Sequence, residues 1–191
     1  MPKPLKFTVF ALVLLMLGIS AQSTAASWRA ESIVDPPALK TGSLSLLAGG
    51  SVDYPFATLS GSGLVPGSFT QAPLVISNAG SVDLAYRLNG AVNTLPSPSA
   101  SDQALFGSLQ LSVYSGMDSA ACEADQALAG VQLYRGAVGA NASFATARVL
   151  RAEPAAASET LCVRLSLPAG ATQGAAGGKA AVTLTFAGQQ G

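Results

Sequence analysis

The chain contains no histidine. Without an imidazole, the Ser-His-Asp and Cys-His modes of nucleophile activation, the HExxH zinc site and most proton transfer near neutral pH are excluded. Charge is scarce as well: ten basic and ten acidic residues amount to 10% of the chain. No basic patch exists to neutralise phosphates, so neither nucleic acid nor an anionic lipid surface is an expected partner. The carboxylates are scattered singly. A glycosidase could still pair two of them across a cleft, but one Trp and four Tyr offer few platforms for a sugar. No enzymatic activity, cofactor or metal site is read from these residues. Three short patterns are decoys. "GGKA" at Gly177–Ala180 lacks the Gly and the Ser or Thr of a phosphate-binding loop, and is read as a hairpin turn. Asp118, Glu123 and Asp125 lack the DxDxDG spacing of a calcium loop. "NAS" at Asn141–Ser143 has the form of a glycosylation sequon, which a chain of this length often carries by chance.

Long hydrophobic runs are also missing. The apolar stretch Phe7–Ile19 covers thirteen residues, whereas a membrane helix needs about 20. Lys3 and Lys6 precede it, and small residues follow, with Thr24 and Ala26 at the two positions read by a signal peptidase. This is the layout of a secretory signal peptide over residues 1–26, cut between Ala26 and Ser27. The competing reading, an uncleaved anchor, is opposed by the length. Cleavage removes Lys3 and Lys6, leaving eight basic against ten acidic residues, a net of −2 over 165 residues. That length suits one domain with a real core. So few charges leave a surface with little repulsion against self-association.

There are only two cysteines, Cys122 and Cys162. An even count in an exported chain reads as one disulfide; the wide spacing and lack of CxxC oppose a reactive pair. Most of the remaining chain alternates with period two. Val82, Leu84, Tyr86 and Leu88 oppose Asp83, Ala85, Arg87 and Asn89. Leu109, Leu111 and Val113 oppose Gln110 and Ser112. Leu161, Val163, Leu165 and Leu167 oppose Cys162, Arg164 and Ser166, and Val182, Leu184 and Phe186 oppose Thr183 and Thr185. "GSLSLLAG" (Gly42–Gly49) and "APLVISNAG" (Ala72–Gly80) add two strands, separated from the rest by turns such as "VPGS" and "SNAGS". The expected fold is all-β, a two-sheet antiparallel β-sandwich of the jelly-roll or Ig-like kind, spanning residues 38–191. The one stretch with a helical reading is Ser119–Ala129, with Ser119 as its cap. The disulfide is expected to fasten that stretch over a partly exposed side of a sheet, with inner-face and outer-face placements both open.

Thr24, Ala26 and Trp28 form T-x-A-x-W across the cut, "GLVPGSFTQAPLVISNAGSVDLAYRL" supplies a PG turn, a strand, an Asn-x-Gly turn and a second strand, and "SETLCVRLSLP" and "AAVTLTFAGQQ" close the chain. In that order these motifs resemble the camelysin and TasA-like proteins exported by Gram-positive bacteria. The resemblance implies a jelly-roll-like sandwich, processing by a specialised signal peptidase, and a role in biofilm matrix or surface fibres. The metalloprotease activity ascribed to camelysin-type members finds no ligand cluster here. The expected function is a secreted, extracellular or surface-associated structural protein that associates with itself or with a related matrix subunit and has no membrane partner after cleavage. The alternative is a secreted monomeric binding module for carbohydrate or protein. Residues 27–37 hold a candidate assembly segment: Trp28, Ala30, Ser32 and Val34 alternate along one side, ahead of Pro36 and Pro37, which cannot continue a ladder. A frayed terminus is the bland reading.

Overall fold

The computed structural model describes residues 42–50, 63–153 and 157–191. The expected cleavage site (Ala26, Ser27) and assembly segment (Trp28, Ala30, Ser32, Val34) lie outside them. The described residues form a two-sheet antiparallel β-sandwich. Five strands build sheet 1 in the order β1 (Leu46–Ala48), β2 (Phe69–Asn78), β8 (Ser158–Ser166), β4 (Gln110–Ser115) and β5 (Val131–Ala137). Sheet 2 centres on β3 (Leu84–Asn93), with β9 (Val182–Gln190) along one side. Along the other side lie β6 (Gly139–Ser143) and β7 (Arg148–Leu150), two pieces of one interrupted strand.

The alternating patterns become the inner faces. Leu74 and Ile76 of β2, Leu84, Tyr86 and Leu88 of β3, Leu111 and Val113 of β4, and Leu161, Val163 and Leu165 of β8 are buried in one core. The consecutive Leu74-Val75-Ile76 run is resolved by parity: Val75 points outward and is exposed. Burying each of these side chains contributes about 1.5–3 kcal/mol, which is what fixes the register against a one-residue slip.

Turn chemistry sets where strands begin. In Val65–Ser68, Pro66 supplies its fixed φ, Gly67 the φ of 88° that the next position requires, and the Ser68 N–H closes the turn on the Val65 carbonyl at 2.9 Å. Between β2 and β3, the Asn78 Oδ1 accepts the Gly80 N–H at 2.9 Å while its Nδ2 donates to the Val82 carbonyl at 2.8 Å. A Cβ at position 80 would stand 2.2 Å from the Ser43 carbonyl oxygen, so only glycine lets β1's leading segment pass this turn.

Three expectations are corrected. A helix α1 spans Ala100–Ser108, where no helix was expected; its signal is the capping box in which Ser99 and Asp102 satisfy each other's backbone N–H groups. The second helix, α2, covers only Ser119–Glu123 and is capped by Asp118, not Ser119. Asp118 sits one residue earlier, where its carboxylate accepts the Ala120 N–H at 2.7 Å. The Gly177–Ala180 stretch is no hairpin, because β8 and β9 belong to different sheets. Gly178 instead packs under α1, where a Cβ would meet the Ser101 carbonyl at 2.4 Å, and the Lys179 N–H donates to Asp102 at 2.6 Å.

Candidate functional site

Two polar constellations and one strand edge stand out from the core. The first lies between the sheets. Glu159 shares the inward parity of Leu161 and Val163 on β8, and its carboxylate takes a bidentate hold from Arg148 of β7, with Nε to Oε1 at 3.1 Å and Nη2 to Oε2 at 2.7 Å. The Tyr86 hydroxyl of β3 donates to the same Oε1. Burial, followed by the hydrogen bond to and the charge of Glu159, pushes the Tyr86 phenol well above its ordinary value. The bond to Glu159 raises the Arg148 guanidinium. Tyr86 also meets Phe144 and Phe186 edge-on, with ring centroids 6.3 and 6.1 Å away. The arrangement ties β3, β7 and β8 together. Among the described residues no buried side-chain nitrogen or oxygen lacks a partner, and the bonded Tyr86, Arg148 and Glu159 suit a clamp. Sequence inspection counted Glu159 among scattered carboxylates; its shared parity with Leu161 was the available signal of an inward position.

The second constellation covers the outer face of sheet 1. Cys122 of α2 and Cys162 of β8 form the disulfide, both nearly inaccessible, with Met117, Ala121 and Leu128 packed around them. The cover over the sheet is held by more than the covalent bond. Gln71 donates through Nε2 to the Cys122 carbonyl at 2.9 Å and accepts from Arg164 Nε at 2.6 Å, while Arg164 Nη2 reaches the Gln126 carbonyl at 2.8 Å. Arg164 also lies 3.9 Å above the Phe69 ring. Burial lowers its pKa. These groups, too, satisfy one another.

The lateral edges differ sharply. Strand β1 is only three residues long, and β2 continues past it. The Val75 carbonyl accepts the Gly49 N–H, so odd-numbered β2 residues turn their backbone groups toward that edge. Pro73 is among them and offers no donor there, an edge-blocking device. On the opposite side of sheet 1, β5 carries a register shift against β4 and the charge of Arg135. The β6–β7 edge is interrupted. Strand β9, Val182–Gln190, is nine residues long and carries neither charge nor proline, although its pairing with β3 shifts register between Leu88 and Ala91. The Ala181 carbonyl accepts the Thr94 N–H and the Gly191 N–H donates to the Asp83 carbonyl, just beyond the two ends of β3, which places odd residues toward β3 and turns the backbone of Val182, Leu184, Phe186, Gly188 and Gln190 outward. Among the described residues, β9 pairs only with β3. Leu184 and Phe186 beside this edge are only half-buried.

The described residues hold no group of three or more potential metal ligands, and no helix among them is long and apolar enough to cross a membrane. No protein-family model matches the chain, and no curated protein matches it.

Proposed function

We propose that this chain is a secreted structural protein of the biofilm matrix or cell surface, of the camelysin and TasA-like kind, that self-assembles by strand donation. The observation that carries the reading is the outer edge of β9. An uncharged, proline-free edge of nine residues is a ready template for another strand, and natural sandwiches generally blunt such edges. Blocking devices on the other edges of the same molecule make the exception more pointed. Strand addition at β9 satisfies outward N–H and C=O groups and lets alternate side chains cover the half-buried Leu184 and Phe186. The donor is the segment Ser27–Val34 of a neighbouring molecule, freed by cleavage after Ala26, with Trp28 as its anchor; burying one aromatic side chain contributes about 2–3 kcal/mol. The low charge, a net of −2 after cleavage, removes long-range repulsion between subunits.

Negative-stain electron microscopy and sedimentation of protein beginning at Ser27 test the proposal. That protein should form fibres or oligomers, and a variant lacking Ser27–Asp35 should remain a folded monomer. Equal assembly by the two would show that the segment is not the donor.

A further inference from the structure

A shallow depression of about 120 Å³ opens on the outer face of sheet 2, beside β9. Its origin is local. Ala85 of β3 and Ala187 of β9 put only methyl groups on this face, and Gly188 lines it without a side chain. Between β6 and β7 the chain leaves the ladder, and Phe144 turns into the core. Around this floor stand Arg87, Asn89, Gln189 and Ser143. Among the described residues, Arg87 is exposed and makes no ion pair, unlike Arg148, and no acidic residue lines the depression. The nearest acidic residue along β3 is Asp83, whose carboxylate already accepts the Ala152 N–H at 3.0 Å.

We infer that this depression is a binding site for an acidic saccharide, with Arg87 holding the carboxylate of a uronic acid and Asn89, Gln189 and Ser143 addressing the hydroxyls beside it. The guanidinium presents a planar fork that matches a carboxylate in two parallel hydrogen bonds. Two amides and a hydroxyl supply both donors and acceptors, the mixture that sugar hydroxyls require. One cation among three neutral hydrogen-bonding side chains corresponds to one carboxylate among several hydroxyls. A peptide would instead dock in an apolar pocket or along the β9 edge, and the polar side chains of this face serve neither mode. With no aromatic ring to stack on the sugar, a single site binds weakly. Many copies on one polyuronate would still gain by avidity.

Isothermal titration of the mature protein with trigalacturonate, against neutral galactotriose and triglutamate, tests the inference. Trigalacturonate should bind and the other two should not. Arg87→Ala should weaken binding about ten- to a hundredfold, the range for losing a charge-assisted pair. Ala187→Leu, which fills the floor and keeps every polar group, should weaken it as well. Arg135→Ala removes the same charge from sheet 1 and should leave binding unchanged. Absence of trigalacturonate binding at millimolar concentration overturns the site, as does an equal loss in the Arg135 variant, which would mean net charge alone. Comparable binding of triglutamate overturns the saccharide assignment. The readout does not depend on fibre formation, so it can fail or succeed separately from strand donation.

Discussion

Removing the disulfide is the perturbation whose size the structure fixes best. Cys122 and Cys162 are separated by 40 residues. Closing a loop of that size restricts the unfolded chain by roughly 4 kcal/mol in the chain-entropy treatment. For a domain of this length, each kcal/mol corresponds to about 2–4 °C in Tm. The Cys122→Ala, Cys162→Ala double variant should therefore melt about 8–15 °C below the parent in scanning calorimetry. Alanine is the better replacement because both positions are buried, and a serine hydroxyl there would add a desolvation cost unrelated to the cross-link. The fold itself should survive. Gln71 and Arg164 still bind the Cys122 and Gln126 carbonyls, and the main core lies on the other face of the sheet. Hydrogen exchange should accelerate at Cys122, Ala124 and Gln126, whose amides bond within the α2 segment, and much less at β3 and β8. A fall in Tm under about 3 °C would refute the unfolded-state argument. Loss of the fold at room temperature would refute the claim that the sandwich core is sufficient without its cover.

Tyr86→Phe removes one donor from Glu159 while Arg148 keeps its bidentate hold, so stability should drop by about 1–2 kcal/mol, measured by urea denaturation. Because the folded-state phenol is raised above the unfolded value, its contribution is complete below about pH 10 and is lost as pH climbs beyond it; the parent should lose stability there more steeply than the Phe variant, and parallel curves would contradict the assignment. Pro73→Val restores an outward N–H on β2, and light scattering should show faster association than in the parent at equal concentration. Unchanged scattering would show that Pro73 does not guard that edge.

The strands that read most clearly in the sequence are those whose two faces meet different surroundings. In β3 and β8 an apolar inner face opposes a polar outer one, and the alternation around Leu84, Tyr86 and Leu88 or Leu161, Val163 and Leu165 follows directly from that. Strands β5 and β6 escaped notice because they lie at the margins: Val131 and Arg135 are exposed on β5, and only Ala142 is buried on β6, so no period-two contrast develops. Helix α1 was hidden for a different reason. It buries only Leu105 among its own residues, so it carries no apolar stripe, and its capping box was overshadowed by the turn-forming Pro96 and Pro98 just ahead of it. The pairing of Cys122 with Cys162 followed from count and compartment, but the Gln71 and Arg164 bonds beneath it could not, since they join residues 51 and 38 positions from their partners. The Tyr86, Arg148 and Glu159 clamp likewise joins three strands from two sheets. Parity marks which side a residue faces; it does not say which strand waits opposite.

The edges carry the same lesson to the level of assembly. Each β-strand exposes two rows of backbone groups, and a sandwich with four lateral edges must dispose of every outer row by pairing, interruption or blockage. Pro73 blocks one edge, a register shift and Arg135 disturb a second, and the break between β6 and β7 shortens a third. Among the described residues, β9 keeps an outer row free of charge and proline, from Val182 to Gln190, on a pairing with β3 that shifts register once. If all four were blunted, backbone pairing between molecules would have no starting point. With two open edges of the same kind, sheets would grow without direction. A molecule with one receptive edge and one donor segment at the other end of its chain makes a heterologous contact, and a heterologous contact that does not close on itself propagates as a filament. In the strand donation proposed above, this asymmetry among the described edges gives each molecule one acceptor, and filament polarity follows from the geometry of β9.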